Sequence, residues 1–342
     1  MSPSTATTWV IRVAACSFIS LLLWQLKGSP KVDDLHMSYP NHSLKAAHMQ
    51  DVADVEESLI ETNYSIIVST YLRVEHLAQF LDHIANGQLP HLDAVFIAWG
   101  LGAHDPPEWL DLSLYSVPVH LERARVNSLT ERFRRPESMR TAAGLWIDDD
   151  IELSPTDIEF GFKVYSEYGQ QDHRIVGYSG RGVTVRSDGS SIYEVLTREH
   201  AIVLTNAAFL DTTMLRWFWD ESDARISQSI QFVDANMNCE DILFNFVVAT
   251  HNHVSPILVM PPDDMLVVKS SGLSDKTSHY SMRTRCVQEF QKIWGMPLMS
   301  TPLRVHHSER ERDRKEKGLE EAFRIEEGRN PWAADLSFKP PA

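Results

Sequence analysis

Cysteine is scarce: three in 342 residues. The fold therefore has to rest on a hydrophobic core, which 43% apolar residues can supply. Positive charge is also short. Lys and Arg number 32 against 47 Asp and Glu, a formal net charge of −15. General nucleic-acid binding needs a basic face, so no nucleic acid is expected as a partner. An anionic ligand is still allowed, because a metal ion or a few arginines can invert the local sign. Internal repeats are lacking, which excludes a solenoid or propeller. Of the cysteines, Cys16 lies in the N-terminal apolar segment, and Cys239 and Cys286 lie far downstream. In an oxidising compartment these two would pair; otherwise they would be buried free thiols.

Long apolar runs are missing too, with one partial exception. Val13 to Leu26 is uncharged and mostly apolar. A comfortable membrane helix needs about 20 such residues. Trp9, Val10 and Ile11 extend the run if Arg12 snorkels to the interface. The competing reading is a cleaved signal peptide, but no small-residue cleavage site follows Leu26. Residues 1–8 are then expected as a short cytoplasmic tail and 9–26 as a signal anchor. The remainder of the chain would be lumenal. Residues 27–62 are polar and without periodicity, as a stem would be. They hold the sequon Asn41-His42-Ser43.

From residue 63 to 305 the pattern is that of one folded domain. Apolar runs at Tyr64–Ser69, "LDAVFIAWG", "VPVHLE" and "AAGLWI" predict four strands. Leu77, Phe80, Leu81 and Ile84 give helical spacing between the first two. "VNSLTERF" predicts a short helix with Asn127 as cap, and Ser154-Pro155 opens another. Strands alternating with helices predict an α/β domain with a largely parallel sheet. "AIVLTNAAFL" reads as one further strand, followed by a helix around Leu215 and Trp217. "NMNCEDILFNFVVATH" reads as a helix that Asn238 caps, with Asp241 three residues later as in a capping box. Residues 306–342 are charge-dense and read as a solvated helix or disordered tail.

Chemistry gathers at one stretch, "LWIDDDIELSP". A buried strand ends in Asp148, Asp149 and Asp150, and ligands of parallel sheets collect beyond such ends. Like charges this close repel, so a cation is expected among them. Carboxylates without nearby Cys or His suit Mg²⁺ or Mn²⁺, which keep waters and bridge to phosphates. Thr70 and Arg73 stand at another strand end. Arg73, Arg132, Arg181 and Arg283 are candidates to grip a diphosphate, since guanidinium binds phosphate in a bidentate fashion. Glu240 and Asp241 begin a helix, whose dipole favours carboxylates there. His279 is equally compatible with a structural place.

In order, "STYLR", "NSLTERF", "LWIDDDIELSPTDI", "VLTNAAF", "NCEDILFNF", "GLSDKTSHY" and "GMPL" resemble the exostosin-like domain of glycosyltransferase family sixty-four. The resemblance covers Tyr64 to Leu298. It implies a GT-A fold with donor and acceptor halves. The implied activity is retaining α-glycosyl transfer from a nucleotide-diphosphate sugar, with Mn²⁺ (or Mg²⁺), to a glycan or glycolipid. It implies Asp148 and Asp150 as metal ligands, and Asp241 and Arg283 as catalytic groups. Arg73, Asn127, Arg132, Asp148 and His279 are implied at the donor, where the strand-end and guanidinium readings also put Thr70, Asp149 and Arg181; Cys239–Cys286 is implied as a disulfide. The implied setting is a single-pass type II protein of the Golgi or endoplasmic reticulum membrane. One position departs from the pattern: Gly100 stands where those domains carry an asparagine that contacts the base. Both UDP-N-acetylhexosamine and GDP-mannose are therefore candidate donors. Two other classes remain open from the sequence. One is a metal phosphohydrolase drawing on His251, His253, His306 and His307. The other is a catalytically silent binding subunit.

Overall fold

Strands covered on both faces read as unbroken apolar runs, and β1 (Ile60–Thr70) shows it: Tyr64 to Val68 are all buried. Ser65 sits inside that run, and its hydroxyl is satisfied by Thr141 at 2.8 Å. The structure, a computed structural model, describes residues 59–100, 105–195, 198–260, 266–267, 279–306 and 324–326. The expected cytoplasmic tail and anchor, nearly all of the stem and most of the charged tail lie outside these residues. Among the described residues no helix is long and apolar enough to cross a membrane. β1 begins at Ile60, inside the segment expected as stem.

Helix α1 (Val74–Ile84) returns the chain to β2 (Leu92–Trp99), and β3 (Val119–Arg123) follows. A 3-10 helix, Leu129–Phe133, leads into β4 (Thr141–Asp148) and the two-residue β5 (Ile151–Glu152). Its cap is Ser128, whose Oγ accepts from Thr130 N, and not Asn127. The Ser128 hydroxyl reaches the backbone two residues on, where Asn127, exposed, makes no such bond. Helix α2 (Pro155–Val164) starts as expected, with Ser154 accepting from Asp157 N and Pro155 in the first turn. Next come β6 (Val176–Gly177), β7 (Gly180–Val185), β8 (Ser191–Glu194), β9 (Ile202–Val203) and β10 (Ala207–Asp211). Helices α3 (Thr212–Phe218) and α4 (Ala224–Asn236) both pack on α5 (Glu240–Asn252). The chain ends with β11 (Ile257–Met260), β12 (Leu266–Val267), α6 (His279–Trp294), β13 (Arg304–His306) and β14 (Arg324–Glu326).

The main sheet has nine strands in the order β14-β13-β11-β6-β10-β4-β1-β2-β3. β10 and β14 are antiparallel to their neighbours, and the other pairings are parallel. The fold is thus mixed α/β with a large, mostly parallel sheet. Side chains alternate between its faces. Ile66, Val68, Leu145, Ile147 and Phe209 join one core with α1 and α2. Ile67, Trp146, Ala208 and Leu210 join the other, with α3 to α6.

Two expectations fail for identifiable reasons. "AIVLTNAAFL" forms two strands, not one. The Asn245 carboxamide takes both the N–H and the C=O of Val203, at 3.0 and 2.9 Å, so β9 cannot continue into the main-sheet ladder. The charged tail is neither wholly helical nor wholly irregular: Arg324–Glu326 pairs with β13 at the sheet edge. A short strand only needs an unpaired neighbouring edge, which charge density does not reveal.

Candidate functional site

β4 and β1 end side by side, with Ser69 opposite Asp148. Thr70 Oγ1 donates to Asp149 at 2.7 Å. Leu72, at φ 58, reverses the chain so that Arg73 turns back onto the same end. Arg73 pairs with Asp149 and, through Nη1 at 2.7 Å, with Asp150. Arg132 donates to Asp148 Oδ1 at 2.6 Å and to the Thr205 carbonyl at 3.0 Å. Two indoles fix the turn that carries it: Trp146 Nε1 donates to Arg132 O and Trp219 Nε1 to Phe133 O.

Arg132 also faces a second set of carboxylates, with Nη1 3.7 Å from Glu240. Beside Glu240, Asp241 is gripped by both Nη atoms of Arg283, Nη1 at 3.2 Å. Asp241 is therefore an ion-pair partner and not a capping-box residue. The residue at the helix boundary is Cys239, at φ 78 and without a side-chain cap. The Cys239–Cys286 disulfide, Cα–Cα 6.3 Å, ties the start of α5 to α6. That bond sets Cys239 in place, which displaces Asn238 from the capping position. Asn245 bonds the Asp241 carbonyl at 2.8 Å as well as Val203, locking the helix start to β9.

Five carboxylates, Asp148, Asp149, Asp150, Glu240 and Asp241, thus face three guanidiniums, those of Arg73, Arg132 and Arg283. Burial pushes Asp149 up to about 6 even though Thr70 and Arg73 pull it down. Burial, then the charge of Asp241, pushes Glu240 to about 7. Asp148 is raised by burial against the pull of Arg132. Burial works against the charge of Arg132 and is outweighed by Asp148 and Glu240.

Among the described residues no three His, Cys, Asp or Glu side chains converge to hold a metal unaided. The donor set still fits a hard divalent ion. Negative charge is in excess, and two carboxylates suffice where water and phosphate complete the shell. Buried polar atoms without a partner flank the same end: Ser69 Oγ, Thr205 Oγ1, Asn206 Oδ1, and the Nε atoms of Arg132 and Arg283. Buried polar atoms are seldom left unpaired, so a polar ligand belongs here.

The predicted residues fare unequally. Thr70, Arg73, Arg132, Asp148, Asp149 and Asp150 meet at one place, and Asp241 with Arg283 joins them through Glu240. Arg181 stands on β7, and its charge bears on Tyr193, whose ring Arg283 overlies at 5.1 Å. Asn127 is exposed in the bend before the 3-10 helix. His279 opens α6, and its side chain lies outside the described residues. His251, one of the four histidines on which a phosphohydrolase could draw, is stacked on Trp217 near the other end of α5 from Asp241. Thirteen residues of helix separate those ends by about 20 Å. Sequence reasoning gave no site role to Glu240, Tyr193, Thr205 or Asn206. The "VLTNAAF" stretch carried the signal for the last two, as a polar pair interrupting an apolar run.

Residues 64–309 match the Glycosyl transferase family 64 domain. Human exostosin-2 is 32% identical over 242 residues, 69% of this chain and 33% of that one. The rice glucosamine inositolphosphorylceramide transferase 1 (Oryza sativa subsp. indica) is 28% identical over 246 residues, 68% of this chain and 31% of that one. Mouse exostosin-like 2 is 26% identical over 253 residues, 69% and 74% respectively. The chain spans about a third of the length of the first of these relatives.

Proposed function

The chain belongs to glycosyltransferase family 64, and we propose that it is a Mn²⁺-dependent retaining α-glycosyltransferase of the GT-A type. It moves an N-acetylhexosamine or mannose from a nucleotide-diphosphate sugar to a glycan or glycolipid. One observation carries this: a contiguous run of buried and partly buried charge joins the carboxylates at the end of β4 to the Asp241–Arg283 pair on α5 and α6. The first group suits a metal diphosphate and the second a reacting sugar.

Asp148 and Asp150 would hold the ion. When bound, a divalent cation supplies Lewis-acid neutralisation of a leaving diphosphate. Arg73 and Arg132 can exchange a carboxylate oxygen for a phosphate oxygen, which their planar forks bind equally well. Asp241 is held in place by Arg283 and by the N–H of Ile242 at 2.7 Å. A fixed carboxylate can orient an acceptor hydroxyl or stabilise positive charge developing at the sugar carbon. The Cys239–Cys286 bond suits an oxidising compartment, which supports a lumenal place in the Golgi or endoplasmic reticulum behind the N-terminal anchor.

The test is a panel of nucleotide sugars with Mn²⁺ and with glycan and glycolipid acceptors, reading nucleotide release. Release that depends on donor, metal and acceptor together supports the proposal. Binding of nucleotides without release under any pairing overturns the catalytic part of it.

A further inference from the structure

We propose that Asn63 carries an N-linked glycan, attached at the end of β1 remote from the charged site. The proposal rests on the lumenal place argued above, where such glycans are added, and not on any choice of donor or acceptor.

Two stretches of the chain have the form Asn-x-Ser: Asn41-His42-Ser43 and Asn63-Tyr64-Ser65. The first lies outside the described residues. Such triplets arise by chance, so the place of the second in the fold decides its meaning. It straddles the point where β1 enters the core. Tyr64 is wholly buried, whereas Glu61 and Thr62 are exposed and Asn63 is partly exposed. The ladder is irregular at the same point. Ile60 is opposite Thr141 and Tyr64 is opposite Ala143, so four steps along β1 face two along β4. The surplus residues form a bulge and are left unpaired. On the β2 side the register starts only at Tyr64, whose N–H reaches the His91 carbonyl at 2.9 Å. Asn63 thus stands just outside the main-chain bonds that fix the strand. Its Oδ1 accepts from Thr62 Oγ1 at 3.0 Å, and among the described residues no hydrogen bond engages its Nδ2. That nitrogen is the atom a glycan takes, and folding leaves it unclaimed.

Ser65 is fully buried, with its hydroxyl on Thr141 at 2.8 Å, so the folded domain does not present the triplet. The transfer therefore precedes folding, while the chain enters the lumen. In that step Asn63 Nδ2 bonds to C1 of the first N-acetylglucosamine of a lipid-linked oligosaccharide diphosphate. The bond from C1 to the diphosphate oxygen breaks, the lipid diphosphate leaves, and the amide nitrogen gives up one proton. The folded domain then has only to accommodate the product, and an unpaired bulge at the strand's outer end does so. Asn63 and Thr70 are seven residues apart on β1. That is about 23 Å of strand. A bulky, solubilising glycan at Asn63 leaves the ligand-collecting strand ends clear.

The full chain, expressed in a eukaryotic secretory host, tests this as wild type, Asn41→Gln, Asn63→Gln and Asn41→Gln/Asn63→Gln. Each is treated with peptide N-glycosidase and followed by gel mobility and peptide mass spectrometry. Release of a glycan converts the asparagine that carried it to aspartate. The wild type should show that conversion at residue 63. Asn41→Gln should still gain mobility on treatment, and the double variant should gain none. Unmodified Asn63 in protein whose Asn41 is modified overturns the proposal and leaves the lumenal place standing. Modification at neither position overturns the proposal and the lumenal place together. The donor panel above tests the transferase reading separately, so its failure is a distinct result.

Discussion

Replacing Asp241 by Asn removes one charge and nearly preserves shape. Read only as a helix-start carboxylate, Asp241 would tolerate the change with little loss of stability. The structure says otherwise. The Asp241 and Arg283 side chains are 9% and 6% exposed, and both guanidinium Nη atoms are engaged. Little solvent is available to screen the charge that Asn would strand on Arg283. Removing one partner of a buried pair costs about 3–5 kcal/mol. Glu240 also attracts Arg283, which favours the lower figure, about 3 kcal/mol. A domain of this size loses about 2–4 °C per kcal/mol, so the unfolding midpoint should fall by about 6–12 °C. Transfer at a temperature where the variant is folded should fall at least about 100-fold, as for loss of a positioned acid–base group. Adding Arg283→Gln removes the stranded charge, so the double variant should regain much of the midpoint while transfer stays low. Differential scanning calorimetry and a radiolabelled transfer assay read the two effects separately. A wild-type midpoint in Asp241→Asn would refute the buried pair. Transfer within a few-fold of wild type would remove Asp241 from the chemistry.

Asp150→Ala should abolish Mn²⁺-dependent nucleotide-diphosphate binding yet leave the fold intact, because Arg73 keeps Asp149 as a partner; donor affinity unchanged with and without Mn²⁺ would contradict it. Glu240 has a folded-state pKa raised to about 7, above its unfolded value, so the native state binds more protons between about 4.5 and 7. The stability difference, wild type minus Glu240→Gln, should fall as pH rises from 5 to 8, and a flat or rising difference in calorimetry would count against burial of Glu240. The Cys239–Cys286 bond closes a loop with a sequence separation of 47. The chain-entropy model gives about 4 kcal/mol for such a loop, so Cys286→Ser should lower stability by about that much. Non-reducing peptide mapping of secreted protein should find the linked pair, and two alkylatable thiols would refute it. Arg132→Lys should weaken donor binding although charge is kept, since a single ammonium cannot serve Asp148, the Thr205 carbonyl and Glu240 together.

What the sequence determined alone is what lies within a few residues along the chain. The unbroken apolar run of β1, the Ser154-Pro155 start of α2 and the three aspartates closing β4 are local signals. They were legible because strand burial and helix capping act over one or two turns of backbone. The family resemblance added which distant residues belong together, but not how they meet. Tertiary structure decided the rest. Arg73 reaches Asp150 across 77 residues and Arg283 reaches Asp241 across 42. Those pairings depend on which strand ends the topology makes neighbours. They turned Asp241 from a cap into half of a buried ion pair and put Cys239, held by its disulfide, at the helix boundary. They also set the partly buried Glu240 beside Asp241, where desolvation and that neighbouring charge raise its pKa toward neutrality against the pull of Arg132 and Arg283. Asn245 split an apolar run that reads as one strand, because a side-chain amide claimed the backbone groups the ladder needed. Local pattern fixes which backbone conformation is cheap, and only the folded chain fixes where a desolvated charge finds its partner.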